Sequence, residues 1–312
     1  MLPIKVDTTP MTLPAGIREN VSLSSFNTWQ VGGSARYFIE PVDLSTLQVA
    51  CRWATEHQVP WRALGRGSNV LVADEGFDGL VIRLGAHFSS VDITDQEGHA
   101  LVRAQAGVPC AQFVVSVNQA GFGGVEPLVG VPGSLGGAVA MNASAHGLAV
   151  SDHFLEGLVL DGMGQVQGWS KEDFQFAYRH SRLQDEPLVF LEGFWLLPPV
   201  DRQAAREKIR ELQRWRNEKQ PTNFPSGGST FRNPGDGLPA AGALIEAIGA
   251  KGYQVGQAQV SEKHANFIVN RGGATADDIN SVIIYLQKAV EARYGVHLVP
   301  EVVGLGIHVG TR

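Results

Sequence analysis

Glycine is the residue that most restricts what this chain can become. It contributes 37 of 312 residues, well above the usual share of about 7%, and the excess is clustered. Two stretches hold much of it: "ALGRGSNVLV" (63–72) and "GFGGVEPLVGVPGSLGGAVAMNASAHG" (121–147). A third, "FPSGGSTFRNP" (224–234), sets Ser229 behind Gly227 and Gly228 and between Pro225 and Pro234. Paired glycines let a backbone take positive φ and let another group come close. Ser229 is therefore either a solvated turn residue or a hydroxyl presented to a ligand.

The bulk numbers exclude several classes. Apolar and charged shares of 44% and 18% are those of a globular protein. A net charge of -6 leaves no basic surplus for phosphates, so nucleic acid is not an expected partner. The basic run "DRQAAREKIRELQRWRNEKQ" (201–220) interleaves glutamates at helical spacing and reads as a solvated helix face. No apolar run approaches the ~20 residues of a membrane span, and "MLPIKVDTTP" lacks a signal pattern. A cytoplasmic protein without membrane insertion is expected. Cys51 and Cys110 lie in apolar contexts without metal or disulfide spacing and read as buried thiols.

The predicted elements mix throughout. A helix is expected over 43–58, with Asp43 as cap and Leu44, Leu47, Cys51 and Ala54 on its apolar face. Strands follow in "VPWRAL" and "NVLVADEGFDGLVIRL". The stretch 86–200 is strand-rich, with one short helix ended by Gly121. After the charged helix comes "TADDINSVIIYLQKAVEARYG" (275–295), where Thr275 and Asp278 form a capping signature. Val282, Ile283, Leu286 and Val290 form its core face. The pattern indicates α+β, not a doubly wound parallel sheet. Three units are expected, at 1–85, 86–200 and 201–312.

Gly65, Arg66, Gly67, Ser68 and Asn69 form a Gly-x-Gly turn that fails the dinucleotide fingerprint, because a strand follows instead of a helix. Such a turn is a tight hairpin or an anion nest. The second cluster, with Gly133, Ser134, Gly136, Gly137 and Asn142, suits a flat ligand or close packing between domains. Arg179 in "FQFAYRHSRL" and Glu301 in "HLVPEVVGLGIHV" are charges in apolar surroundings, which need partners if buried. An edge strand would expose Glu301, and an ion pair would explain Arg179. His264 in "SEKHANFIVN" is a ligand contact or a surface histidine.

"NTWQVGGSARYF", "LGRGSNVLV", "GVPGSLGGAVAMNASAHG", "YRHS", "GSTFRNP", "KHANFIVN" and "VPEVVGLG" follow in this order over residues 24–306. Together they resemble the UDP-N-acetylenolpyruvoylglucosamine reductase family. The resemblance implies a two-lobed FAD-binding module of the vanillyl-alcohol-oxidase type, followed by an α+β substrate-binding domain. It implies that Gly65 to Asn69 hold the FAD pyrophosphate. Gly133, Ser134, Gly136 and Gly137 would line the flavin, with Asn142 beside them.

Arg179, Ser229 and Glu301 match the family's catalytic positions. Hydride would pass from flavin N5, the proton from Ser229, and Arg179 and Glu301 would stabilise the enolate. Tyr178, Arg232, Asn233, His264 and Asn266 are candidate substrate contacts from the same motifs. The implied cofactors are non-covalent FAD and NADPH, the substrate is UDP-N-acetylglucosamine enolpyruvate, and a monomer is expected. The chain resembles the subtype without an extra tyrosine-bearing loop, since "YRHSRL" runs directly to "EPLVFLEGFWLL". It departs from the family's Asn-Ala-Gly-Ala-Tyr-Gly stretch at Ser144 and His146. Two other readings remain: a sugar or alcohol oxidase on the same module, and a non-catalytic flavin-binding protein.

Overall fold

The computed structural model describes residues 12–235 and 237–311; "MLPIKVDTTP", which lacks a signal pattern, lies outside them. Sheet and helix alternate irregularly, as an α+β chain requires. The first sheet has the strand order Arg18–Ser22, Ser34–Ile39, Phe77–Arg83, Trp61–Leu64. Its last three strands are parallel and its first pair antiparallel. Helix α1, Leu44–Glu56, packs against it. Asp43 caps α1 by accepting from Thr46 N at 2.7 Å. Leu47, Ala50, Cys51, Trp53 and Ala54 are buried, whereas Leu44, expected on that face, is exposed at the helix start.

The second sheet is antiparallel throughout, in the order Val166–Ser170, Phe154–Leu160, Val189–Leu197, His99–Gln105, Val91–Gln96. Helices α2, Cys110–Ala120, and α3, Leu135–Ala140, pack on it, and Gly121 at φ 96° ends α2. One apolar core runs through both sheets, from Leu47 and Ile82 to Val102, Phe113 and Trp195. Cys51 and Cys110 lie free within it, and burial pushes both thiols up to about 12. Helix α4, Arg202–Lys219, buries only Ala205, Ile209 and Leu212, so its charged residues face water as expected.

The C-terminal part packs α5, Ala241–Ala247, and α6, Ala276–Tyr294, on a small sheet ending in Ile268–Asn270. The capping box of Thr275 and Asp278 is formed, and Val282, Ile283, Leu286 and Val290 are fully buried. This core also takes in Trp29, Val31 and Leu71 from the N-terminal part. The two parts are joined by a hydrogen-bonded strand pair: Val303–Leu305 lies parallel to Val70–Val72. Asp74, just beyond that strand, accepts from Ala276 N at 2.9 Å and Asp277 N at 3.0 Å. It thus caps a helix 200 residues downstream.

A carboxylate on the first N–H groups of a helix neutralises orphan donors and meets the positive end of the dipole. Asp74→Ala should therefore destabilise the protein by about 1–2 kcal/mol, and Asp74→Asn by less. The check is the urea midpoint of both variants at equal flavin saturation. An unchanged midpoint for alanine would mean that the cap is idle.

Candidate active site

Glu301 sits where three chain segments meet. The strand after it pairs with the strand after Asn69, so both residues emerge at one sheet end. Asn69 donates its side-chain amide to Glu301 O at 3.0 Å, and Asn69 O accepts from Val303 N at 3.0 Å. From the other side, Phe231 bridges Pro300, and Glu301 N donates to Thr230 O at 2.8 Å. Ser229, half-buried, is thereby held one residue from Glu301's own hydrogen-bond partner.

The serine turn is clamped from beneath. Asn266, buried, bonds both polar groups of the Phe231 backbone, accepting from N at 3.0 Å and donating to O at 2.9 Å. Its own carbonyl accepts from Thr230 N at 2.8 Å. Gly227 lies flat on the Trp29 indole, where a Cβ would come within 2.5 Å of Cη2. Trp29 is locked in turn by its Nε1 donation to Ile268 O at 2.8 Å. Gly227 is needed because an indole lies under it, and Gly228 because its φ is 78°.

Arg179 arrives from the second sheet's side. Its Nε lies 2.7 Å from Glu301 Oε1, with both side chains only 16% exposed. The contact is an ion pair whose N–H is not aligned as a hydrogen bond. The Arg179 guanidinium also stands 4.9 Å over the Tyr178 ring, which is exposed. Asn142 holds this loop by donating to Ala177 O at 2.9 Å, while its Oδ1 is buried without a partner among the described residues. Burial pushes the Glu301 carboxyl above its ordinary range, against the opposing charges of Arg179 and Arg232. Arg232 Nε is likewise buried with no partner among the described residues.

The Gly-x-Gly turn is not a hairpin. The strand before it, Trp61–Leu64, belongs to the first sheet, and the strand after it pairs with Val303–Leu305. Among the described residues, the backbone N–H groups of Arg66, Gly67, Ser68 and Asn69 meet no backbone acceptor. Unspent N–H groups in one turn make an anion nest, which fits a pyrophosphate. Opposite stands the second glycine cluster, tied to the first by Ser68 Oγ donating to Pro132 O at 3.0 Å. A Cβ at Gly133 would lie 2.6 Å from Ser68 Oγ, and one at Gly65 would collide with Ser134 Oγ. Gly136 and Gly137 open α3, next to buried Ser134. These residues fit a flavin nucleotide: backbone donors at one end and a wall without side chains at the other.

The remaining candidates sit less close to this centre. Asn233 Oδ1 accepts from Ala241 N at 3.1 Å and so starts α5. His264 is half-buried, accepts from Asn266 N at 3.2 Å, and is held below its ordinary pKa by burial. Thr28, whose Oγ1 donates to Ser226 O at 2.6 Å, and Trp29 support the serine turn, and Ser144 contacts Arg179, although none is singled out as a site residue by the sequence. Side-chain bonds to distant backbone carry no periodic signature, so only the motif "NTWQVGG" pointed toward the first two.

Gly67 has φ 63°, and a Cβ there would strike the Phe26 carbonyl. Left-handed backbone costs an L-residue roughly 1–2 kcal/mol before any clash. Gly67→Ala should weaken FAD retention at least about tenfold. Gly130→Ala, where a Cβ meets nothing within 4 Å, should leave it unchanged. Flavin-to-protein ratios after gel filtration decide the matter.

The comparisons with known proteins fall on the same segments. Residues 220–305 match the C-terminal domain of UDP-N-acetylenolpyruvoylglucosamine reductase, and residues 35–169 match an FAD binding domain. The chain is 41% identical over 303 residues to the UDP-N-acetylenolpyruvoylglucosamine reductase of Synechococcus sp., covering 95% of this chain and 97% of the relative. The enzyme of Heliobacterium modesticaldum is 43% identical over 289 residues, covering 91% and 89%. The crystal structure of the Thermus caldophilus reductase superposes with a TM-score of 0.77 at 32% identity, covering 92% of this chain and 99% of that one. On this evidence the chain belongs to the UDP-N-acetylenolpyruvoylglucosamine reductase family.

Proposed function

We propose that this protein reduces UDP-N-acetylglucosamine enolpyruvate to UDP-N-acetylmuramate, a step of peptidoglycan precursor synthesis, with NADPH as reductant and FAD as cofactor. Membership of the family carries the reaction. The observation that carries the assignment of residues is the convergence of Arg179, Glu301 and the Ser229 turn beside the 65–69 loop. A sugar or alcohol oxidase would have no need of that convergence. FAD is proposed to be held without a covalent bond: His146, within the second cluster, packs edge-on against Trp215 with ring centroids 4.8 Å apart, and both cysteines are buried. The chain is proposed to act as a monomer in the cytoplasm. Its two free buried thiols suit a reducing compartment, and none of the described helices is long and apolar enough to cross a membrane.

The chemistry that bound FAD supplies is two-electron transfer from NADPH to the vinyl methylene carbon of the enolpyruvyl ether. Reduction there builds negative charge on the neighbouring carbon and, by delocalisation, on the substrate carboxylate. Groups preorganised toward developing charge are often the largest single catalytic term. Arg179 offers a fixed positive charge in a partly dry setting. Glu301, whose proton is retained more strongly than in water, offers a hydrogen-bond donor when protonated. Ser229 Oγ supplies the proton to the carbon bearing the carboxylate. Asn266 and Trp29 act by keeping that hydroxyl in place, which is where orientation contributes to rate.

Two outcomes test these roles by stopped flow. Ser229→Ala should leave flavin reduction by NADPH nearly intact and slow substrate-driven reoxidation by more than about 10²-fold. Ser229→Cys should retain more activity, because a thiol of pKa about 8.5 can also donate. Near-normal reoxidation in the alanine variant would reduce Ser229 to a turn residue.

The second outcome concerns pH. Glu301 acts in its acid form, and burial raises its pKa. Reoxidation should therefore hold at low pH and fall as pH rises through a value above the ordinary ~4.3. Glu301→Gln cannot titrate and should flatten that limb while slowing reoxidation at least about tenfold. A limb that persists in the glutamine variant would assign the titration elsewhere.

A further inference from the structure

Besides its ion pair with Glu301 and its place over the Tyr178 ring, the Arg179 guanidinium has two hydrogen-bond acceptors among the described residues, and both belong to Ser144. The Ser144 hydroxyl accepts from Arg179 Nη1 at 2.6 Å, and its carbonyl lies 3.5 Å from Nη2. Guanidinium carries five N–H donors in a rigid fork. With Nε toward Glu301 and one Nη1 hydrogen on the hydroxyl, the plane of the fork is set. The weakly engaged Nη2 is then the edge with most hydrogen-bonding capacity left for an anionic ligand.

Ser144 is itself rigidly placed. It opens a two-strand hairpin in which Ser144 faces Ala149 and Ala145 faces Leu148. The two residues between, His146 and Gly147, have φ 49° and 84°. Positive φ at both central positions is the requirement of the tightest hairpin turn. His146 is further braced edge-on against Trp215 of α4. On the arginine side, Ser181 Oγ and Gln184 Nε2 donate to Ala140 O at 2.8 and 2.7 Å, docking the loop beside the hairpin.

We propose that Ser144 is a positioning residue: its hydroxyl orients the Arg179 guanidinium between Glu301 and the substrate carboxylate. A glycine at this position would supply only the carbonyl, so the hydroxyl contact depends on Ser144. The proposal rests on the reading of Arg179 as the group that meets the substrate's charge. It makes a prediction distinct from a packing role. A misaligned fork still attracts a carboxylate but meets its growing charge poorly, so the maximal rate suffers and half-saturation does not.

The test is substrate-driven reoxidation of the FAD-loaded, NADPH-reduced enzyme, measured against substrate concentration for Ser144→Ala, Ser144→Thr and Arg179→Ala. Ser144→Ala should lower the maximal rate about tenfold, the effect of one hydrogen bond to a charged group. Its half-saturating concentration should stay within about twofold, and flavin content and reduction by NADPH should match the parent. Ser144→Thr, which keeps the hydroxyl, should restore most of the rate. A Ser144→Ala rate within twofold of the parent, with Arg179→Ala slow, would overturn the role of Ser144 alone. Equal slowing of both half-reactions, loss of flavin, or no rescue by threonine would make Ser144 structural and overturn it too. A fast Arg179→Ala would overturn the reading of Arg179, and this proposal with it.

Discussion

A carboxyl group taken out of water has to be compensated, and the arrangement around Glu301 follows from that need. An uncompensated buried carboxylate would cost several kcal/mol. Glu301 meets Arg179 at 2.7 Å and feels Arg232 besides. Its backbone is committed on both sides, to Thr230 through N and to Asn69 through O. Each of these partners belongs to a different segment: the Arg179 loop, the serine turn and the flavin loop. Glu301 thus obliges three segments to meet, its carboxylate holding the Arg179 loop and its backbone the other two.

That obligation extends into strain elsewhere. Arg179 reaches Glu301 with φ 56°, and Gln175 and Asn142 nearby have φ 48° and 40°. None is glycine, so each conformation is unfavourable, by roughly 1–3 kcal/mol. The side-chain bonds from Asn142, Ser181 and Gln184 to backbone carbonyls hold the loop against it. On the opposite flank the two halves are riveted by strand pairing at 70–72 and by Asp74 on α6. Asn270 adds its bond to Trp29 O at 2.9 Å. A seam tied at so many points suits the proposed roles of Ser229, Glu301 and Arg179, because small misplacements of reacting groups are expensive in rate.

Much of this was legible before any coordinates, and the parts that were not share a physical reason. Helices α1, α2, α4 and α6 were readable from caps and apolar spacing, because local rules decide them. Leu44 was misplaced, since a residue at a helix's first position projects past the face that the spacing describes. Gly65 to Asn69 left a choice between hairpin and nest. Only the pairing of residues 70–72 with 303–305, more than 200 positions away, rules out the hairpin. The charges at 179 and 301 stood out because they broke apolar runs, but nothing local says that they pair. Ser144 was visible only as a departure from a pattern, and its use depends on where Arg179 folds.

On the proposed reading, the ion pair also bears on how the site receives an anionic substrate. While Glu301 is ionised, it occupies Arg179 Nε and lowers the net positive charge offered to ligands. A substrate carboxylate at the remaining guanidinium edge brings a second negative charge near Glu301. Like charges at such range favour the protonated form of one of them. Burial already pushes Glu301 in that direction, so the arriving anion adds to a bias built into the fold. On the proposed reading, the proton so retained lets Glu301 donate a hydrogen bond to a developing enolate, while Ser229 protonates the carbon. A permanently charged acid would repel that enolate, and a fully exposed one would give up its proton to water at neutral pH. On the proposed roles, a half-dry carboxyl beside a fixed arginine is biased away from the first outcome and less prone to the second.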